Sequence, residues 1–185
     1  TALEKSMVSS APLEINFIRD TLHIKPEDGY LSTPILARFT FSDSLLQRIT
    51  NQKVYFGKAS KKKELSFITA VNSGVFETSI RSAGKYGFAI DSLPPQIEGK
   101  NFNNGQNLKN FRYLTVSLKD NETAIKRYNG YIDDQWVLFE YEPKDNTLRC
   151  DLNDLILLEG RHTILIEAED AVNNRSSYKA QFEIR

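Results

Sequence analysis

The chain has 185 residues, of which 40% are hydrophobic and 26% are charged, a balance typical of a folded globular protein. Its 24 basic and 24 acidic side chains give a formal net charge of +0, which argues against a nucleic-acid binder, because such proteins carry a surplus of basic charge. No apolar run approaches the roughly 18 residues of a membrane-spanning helix. The single cysteine, Cys150, excludes an internal disulfide, and we expect it to be a small buried hydrophobic residue.

Strand-like runs recur about every ten residues between polar or glycine-containing turns, which is the spacing of a β-sandwich. In the first half they are residues 13–18, 22–25, 35–41, 53–56, 65–69, 75–80 and 86–90. In the second half they are residues 113–118, 125–132, 135–141, 148–152, 162–168 and 178–184. The one helix-like segment is residues 43–49. The pattern therefore predicts an all-β chain.

A module boundary is predicted at Pro94 and Pro95, because two prolines cannot donate ladder hydrogen bonds and hold the chain extended. Residues 1–92 carry 12 basic and 9 acidic side chains, and residues 93–185 carry 12 and 15, so we expect the halves to attract each other. A glycine-led strand recurs at Gly84 and at Gly160. We predict two tandem immunoglobulin-like β-sandwich modules, residues 1–92 and residues 93–185.

The most informative stretch is residues 127–148, which predicts three antiparallel strands separated by turns at Asp133-Asp134 and at residues 144–146. Strand alternation in residues 136–142 places Val137, Phe139 and Tyr141 on the core side. Trp136, together with Tyr128 and Tyr131, forms either a platform for sugar rings or part of a core. Since two small cores need many aromatic rings, we expect Trp136 and Tyr131 to be core residues.

Histidine and metal chemistry have little support in the sequence. The two histidines are His23 and His162. Glu27 follows His23 with Pro26 between them, so the side chains need not converge on a metal. We expect His162 to be a half-exposed strand residue. No Gly-x-Ser-x-Gly motif indicates a nucleophile, although a triad of distant residues is not excluded by counting.

The charged side chains offer several candidates for acid–base or binding chemistry. The carboxylates in question are Asp133, Asp134, Glu140, Glu142, Asp151, Asp154, Glu167, Glu169 and Asp170. Spacing of two places Glu140 with Glu142, and Glu167 with Glu169, on one strand face. Such pairs perform acid–base catalysis when burial separates their pKa values. We expect instead that both pairs lie on solvated faces of sandwich strands. Residues 170–174 are predicted to form an Asx-stabilised hairpin turn rather than a calcium loop. The four lysines of residues 58–63 are predicted to be a solvated hairpin end rather than a contact for anionic polymer.

The chain resembles the region that follows the catalytic domain in lysostaphin-type envelope metallopeptidases of Bacteroidetes. The resemblance lies in residues 84–91, 94–97, 128–133, 135–141, 144–148 and 160–170, about half of the chain. The segment around Trp136 is the specific part. The zinc motifs of that family, His-x-x-x-Asp and His-x-His, do not occur in this sequence. The resemblance thus implies an accessory region and carries no active site with it.

The function expected from this resemblance is a non-catalytic accessory region of an extracytoplasmic, cell-wall-directed peptidase. Its partner would be a catalytic domain of the parent protein, and cell-wall glycan or protein is a further partner. No cofactor, metal or nucleic acid is expected. Because the chain begins at Thr1 without a signal peptide, we expect it to be a piece of a longer protein. The alternatives are a free-standing module that binds glycan or protein through its aromatics, and an enzyme that uses Glu140 or Glu167.

Overall fold

The computed structural model describes residues 14–18, 21–25, 30–41, 52–60, 64–71 and 74–185. Its strands group into two compact units, residues 1–92 (unit 1) and residues 93–185 (unit 2). Among the described residues the only helical element is a single 3₁₀ turn, Leu152–Asp154. The predicted all-β class is confirmed. The helix-like segment at residues 43–49 lies outside the described residues.

Unit 1 contains seven described strands arranged in two sheets. They are β1 Glu14–Ile18, β2 Thr21–Lys25, β3 Tyr30–Thr40, β4 Val54–Ala59, β5 Leu65–Ala70, β6 Val75–Ser82 and β7 Gly84–Ile90. One sheet has the order β1-β2-β7-β4-β5, and β3 pairs with β6 in the other. Every pairing is antiparallel.

The core of unit 1 is built largely from phenylalanine rings. Phe56 of β4 is fully buried, and its ring centroid lies 5.0 Å from that of Phe39 on β3. Phe39 in turn stacks on Phe76 of β6 at 4.8 Å, and Phe88 of β7 meets Phe76 edge to face at 5.7 Å. Because these rings come from both sheets, they join the two layers of the sandwich.

Unit 2 contains nine strands, again in two sheets. They are β8 Gln96–Gly99, β9 Gln106–Asn107, β10 Tyr113–Lys119, β11 Ile125–Ile132, β12 Gln135–Val137, β13 Glu140–Glu142, β14 Thr147–Asp151, β15 Gly160–Asp170 and β16 Arg175–Ile184. The sheet orders are β13-β14-β10-β8 and β12-β11-β15-β16-β9. In immunoglobulin terms these are D-E-B-A and C′-C-F-G-A′, so unit 2 has the predicted immunoglobulin-like topology.

The core of unit 2 lies between these sheets and is mainly aliphatic. Its fully buried members include Leu114, Val116 and Leu118 from β10, and Ile164 and Ile166 from β15. On both strands these apolar core residues are two apart, as expected when one face of the strand packs on the core.

The predicted strand at residues 135–141 is wrong in one respect, because it is two short strands in different sheets. β12 pairs with β11, whereas β13 pairs with β14. The chain crosses between the layers at Leu138 and Phe139, and Phe139 is buried on the way. The short strands β8 and β9 are not predicted, because neither is long enough to show an alternation of apolar and polar residues.

The predicted turns are confirmed by their backbone angles. Asp133 and Asp134 have φ of 49° and 63°, as the hairpin turn between β11 and β12 requires, and Asn146 has φ of 50°. Gly84 and Gly160 have φ of 141° and 143°, and each begins a strand. At these two positions a side chain would be strained.

A candidate ligand-binding face on unit 2

The five-stranded sheet of unit 2 has an outer face, opposite the core. On β15 the residues Ile164, Ile166 and Ala168 belong to the core, so Leu165 and Glu167 lie on the outer face with their cross-strand neighbours. Three rows of neighbours cross this face. They are Trp136–Tyr131–Leu165–Lys179, Asn129–Glu167–Ser177 and Arg127–Glu169–Arg175.

The first row begins with an aromatic pair, of which one ring is exposed. Trp136 is 60% exposed and stands directly opposite Tyr131, which is half-buried. The strand that carries Trp136 lies at the edge of the sheet, where a ligand has access from the side. Leu138, two residues further on, is also 60% exposed. This edge of the sheet therefore leaves two large apolar side chains in water.

The expectation that Trp136 is a core residue is wrong. The alternation rule placed Val137 and Phe139 inward, and both are buried, so Trp136 must point outward. Tyr128, the third member of the predicted aromatic platform, points inward: it packs against the core, and its hydroxyl donates to the carbonyl of Phe139 at 3.0 Å. The platform therefore consists of Trp136 and Tyr131.

The third row contains a carboxylate surrounded by three cations. Glu169 is only 4% exposed, and it accepts from Nη2 of Arg127 at 2.6 Å, from Nε of Arg175 at 2.6 Å and from Nζ of Lys126 at 3.0 Å. Hydrogen bonds from Arg127, then Lys126 and Arg175, hold the pKa of Glu169 at about 2. The expectation of a solvated pair is thus wrong for Glu169, while Glu167 is exposed as predicted.

An open depression of about 480 Å³ lies over the second and third rows. Arg127, Asn129, Glu167, Glu169, Arg175 and Ser177 contribute to its lining. The lining offers guanidinium and amide donors, carboxylate acceptors and a hydroxyl, all on one sheet face. It is thus suited to a polar ligand with several hydrogen-bonding groups.

His162 stabilises the end of the sheet from which the aromatic pair projects. It is 7% exposed, so the expectation of a half-exposed residue is wrong. Its Nδ1 lies 2.6 Å from Oδ2 of Asp133, and its Nε2 lies 2.8 Å from the carbonyl oxygen of Leu158. Since a carboxylate and a carbonyl both accept, both ring nitrogens donate, which only the protonated imidazolium can do.

Electrostatics agree with a protonated His162. Burial alone would lower its pKa, but the hydrogen bonds to Asp133 and Leu158 outweigh burial and raise the pKa. Burial acts to raise the pKa of Asp133, but hydrogen bonds from His162 and from the amide of Thr163 outweigh burial, so the pKa is lowered. Asp133 also occupies the hairpin turn before β12, so the ion pair anchors the hairpin that carries Trp136.

The remaining carboxylates are solvated or belong to turns. Glu140 and Glu142 are both exposed on β13, as predicted. Asp151 caps the 3₁₀ turn by accepting from the amide of Asn153 at 3.0 Å, and it pairs with Arg112. None of these residues faces the depression.

The segment from Asp170 to Asn174 forms the predicted Asx turn. Oδ1 of Asp170 accepts from the amides of Val172 and Asn174 at 2.9 and 2.7 Å, and Oδ2 accepts from the side-chain amide of Asn174 at 2.6 Å. Asn173 adopts φ of 68° in this turn. A carboxylate oxygen of Asp120 lies within 4.8 Å of one of Asp170, and Asp120 likewise accepts turn amides.

The other sequence candidates lie in the core of unit 2, in unit 1 or outside the described residues. Cys150 is buried, and burial raises the pKa of its thiol to about 11, as expected of an inert core residue. His23 is half-buried on β2 opposite Lys85. Lys58 donates to Ser82 at 2.8 Å. Glu27 and residues 61–63 lie outside the described residues.

Comparisons with known proteins give distant similarities. No protein-family model and no curated protein matches the chain. The chain is similar to the fibronectin(III)-like modules of CbhA from Clostridium thermocellum, with 12% identity, a TM-score of 0.38 and coverage of 94% of each chain. It is similar to latent PorU from Porphyromonas gingivalis, with 15% identity and a TM-score of 0.40, over 86% of this chain and 20% of PorU. It is also similar to the spore cortex lytic enzyme SleM from Clostridium perfringens, with 20% identity and a TM-score of 0.36, over 70% of this chain and 38% of SleM.

This chain thus spans only a fifth of PorU and less than half of SleM. TM-scores this low assign neither an activity nor a ligand. Among the described residues no helix combines the length and the apolar character needed to cross a bilayer.

Proposed function

We propose that this chain is a non-catalytic accessory region of an extracytoplasmic protein, and that unit 2 binds glycan through the outer face of its five-stranded sheet. The observation that carries the proposal is the exposed Trp136 with the half-buried Tyr131 directly beside it on that face. An exposed tryptophan leaves a large apolar area in water, which a ligand can cover.

The chemistry of the outer face suits a sugar. A sugar ring packs its C–H face against an aromatic ring and needs hydrogen-bond partners for its hydroxyls. The aromatic pair of Trp136 and Tyr131 provides the ring surface for this packing. The adjacent row of Asn129, Glu167 and Ser177 supplies the hydrogen-bond partners, because amide, carboxylate and hydroxyl groups all bond to hydroxyls.

The resemblance of the sequence supports a proposal about the larger protein to which this chain belongs. We propose a parent peptidase of the cell envelope, with a catalytic domain that this chain lacks. In that setting unit 2 would hold the catalytic domain near its wall substrate. This raises the effective concentration of substrate without any new catalytic group.

The test is a pull-down on insoluble cell-wall polysaccharide, combined with a melting curve for each variant. We expect Trp136→Ala to abolish retention while the melting temperature stays unchanged. Tyr113→Ala is the matched control, since Tyr113 is an exposed aromatic residue on the other sheet. Retention of the Trp136 variant at the wild-type level would contradict the proposal.

A second candidate function is docking of a protein. It is favoured by apolar side chains exposed in the loop before β15, namely Ile156 at 97% and Leu158 at 76%. A protein-docking module would lose its partner on Ile156→Ser and Leu158→Ser and would bind no glycan. The enzyme alternative requires turnover of a cell-wall, ester or glycoside substrate that disappears on Glu140→Gln or Glu167→Gln.

A further inference from the structure

We infer that the glycan bound by the outer face is acidic, and that Arg127 and Arg175 bind a carboxylate of the ligand in the depression between them. This inference rests on the proposed function and names the ligand class for the same face. The aromatic pair would hold a sugar ring, while the arginines would select for a carboxylate further along the polymer.

The first argument is that Glu169 does not use all the donors around it. Arg127 reaches Glu169 through Nη2 and Arg175 through Nε. Each guanidinium has five N–H donors, and its geometry matches a carboxylate in a two-point contact. Both side chains are well exposed, at 60% and 71%, so their remaining donors are accessible from the depression.

The second argument is the local charge. Lys126, Arg127 and Arg175 surround Glu169, and Glu167 is the other carboxylate in the lining. Among the side chains that line the depression, Arg127 and Arg175 are cations and Glu167 and Glu169 are carboxylates, and Lys126 adds a third cation against Glu169 from outside the lining. Unit 2 as a whole has 12 basic and 15 acidic side chains and is therefore negative. This cluster is therefore less negative than unit 2 as a whole, so an anionic group is repelled less here than by the unit on average.

The third argument is the distance between the aromatic pair and the arginines on the outer face. Tyr131 and Arg127 lie on the same strand and the same face, four residues apart, which is roughly 13 Å at about 3.3 Å per residue. The row of Asn129, Glu167 and Ser177 lies between them. An oligosaccharide laid along β11 would thus stack at one end, bond through its hydroxyls in the middle and place a carboxylate on the arginines.

A purely structural role for the cluster is the competing explanation. In that case the cations serve only to neutralise Glu169, and Arg175→Gln affects stability but no ligand. The two explanations differ in what a conservative substitution does to binding. Because Arg127 and Lys126 still contact Glu169, we expect Arg175→Gln to fold, which a melting curve verifies.

The experiment uses two pairs of probes, because a carboxylate can come from a uronic acid or from the peptide stems of a cell wall. The first pair is polygalacturonate and the same polymer after carboxyl reduction. The second pair is muropeptides with free stem carboxylates and the same muropeptides after amidation. Binding to the full chain is measured by calorimetry in low and in high salt.

We expect one acidic probe to bind at least tenfold more tightly than its neutral counterpart, with the difference reduced at high salt. Arg175→Gln should remove about tenfold or more of the affinity for that acidic probe, as the loss of a charge-assisted hydrogen bond does, without affecting the neutral one. Glu167→Gln should strengthen binding of the acidic probe. Arg149→Gln, the same change on the other sheet, should have no effect.

Three outcomes would overturn the inference. If acidic and neutral probes bind equally and both depend on Trp136, the carboxylate subsite is wrong but the proposed glycan-binding function stands. If Arg175→Gln and Arg149→Gln weaken binding equally, the contact is not specific to the depression. If no probe of either pair binds, both the inference and the proposed function fail.

Discussion

The two units of this chain use aromatic rings to different extents in their cores. In unit 1 the rings of Phe39, Phe56, Phe76 and Phe88 meet inside the sandwich, with neighbouring centroids about 5 to 6 Å apart. In unit 2 the inner layers are mainly Leu, Val and Ile, and its single tryptophan is exposed on the outer face. An aromatic-rich β sequence is therefore no measure of core size. The side of the strand on which each ring lies determines whether it stabilises the fold or is available to a ligand.

The largest effect is expected in the core of unit 1. Phe56→Ala removes a fully buried ring that contacts rings from three other strands, so it should cost about 3–5 kcal/mol of the free energy of unfolding. Hydrogen exchange in β4 and β7 measures this loss separately from unit 2. Phe56→Leu should cost clearly less. A loss below about 1 kcal/mol for Phe56→Ala would show that the ring cluster is not the core of unit 1.

A smaller effect tests a crowded contact between a glycine and an aromatic ring in the core of unit 2. A Cβ on Gly130 would overlap the ring of Phe139 and lie 3.1 Å from Cδ1 of Ile166. Gly130→Ala should therefore destabilise unit 2 by about 1–3 kcal/mol, measured by urea unfolding. Phe139→Leu in the same chain should recover part of the loss. If the two substitutions are simply additive, the glycine does not provide space for the ring.

The pH dependence of the stability of unit 2 tests the ion pair between His162 and Asp133, which anchors the hairpin that carries Trp136. The pKa of His162 is raised in the folded state, so its contribution to stability is complete below about pH 6.5, the unfolded value, and is lost as pH rises through the folded pKa. His162→Gln should cost about 1–3 kcal/mol at pH 6, because it breaks hydrogen bonds made by a charged donor. The stability difference between wild type and variant should shrink between pH 6 and pH 9. A difference that stays constant over this range would show that His162 is neutral in the folded protein.

Most of the fold could be predicted from local sequence patterns. Long alternating strands such as β10, β11 and β15 are visible because their apolar residues are two apart. The turns at Asp133-Asp134 and at Asn146 are visible because Asp and Asn tolerate positive φ. The break between β12 and β13 is not visible, since Trp136 to Phe139 is an unbroken apolar run without a turn residue. Only pairing with two different sheets separates these strands, and pairing depends on residues far away in the chain.

The candidate site could be predicted only in part. The alternation of Val137 and Phe139 already directed Trp136 outward, and the error came from the expectation that two small cores need many aromatic rings. The environments of Glu169 and His162 had no local signal. Glu169 is enclosed by Arg127 and Arg175, which are 42 and 6 residues away, and His162 meets Asp133 from 29 residues away. Such contacts exist only after the strands have paired.

The most direct test of the account is a paired measurement on Trp136→Ala, namely its free energy of unfolding and its retention on cell-wall polysaccharide. Because the side chain is 60% exposed, the stability should change by no more than about 0.5 kcal/mol. Retention should be lost, while Tyr113→Ala is retained like the wild type. A stability loss of about 3–5 kcal/mol, the value for a buried tryptophan, would contradict the account, as would full retention of a stable Trp136 variant.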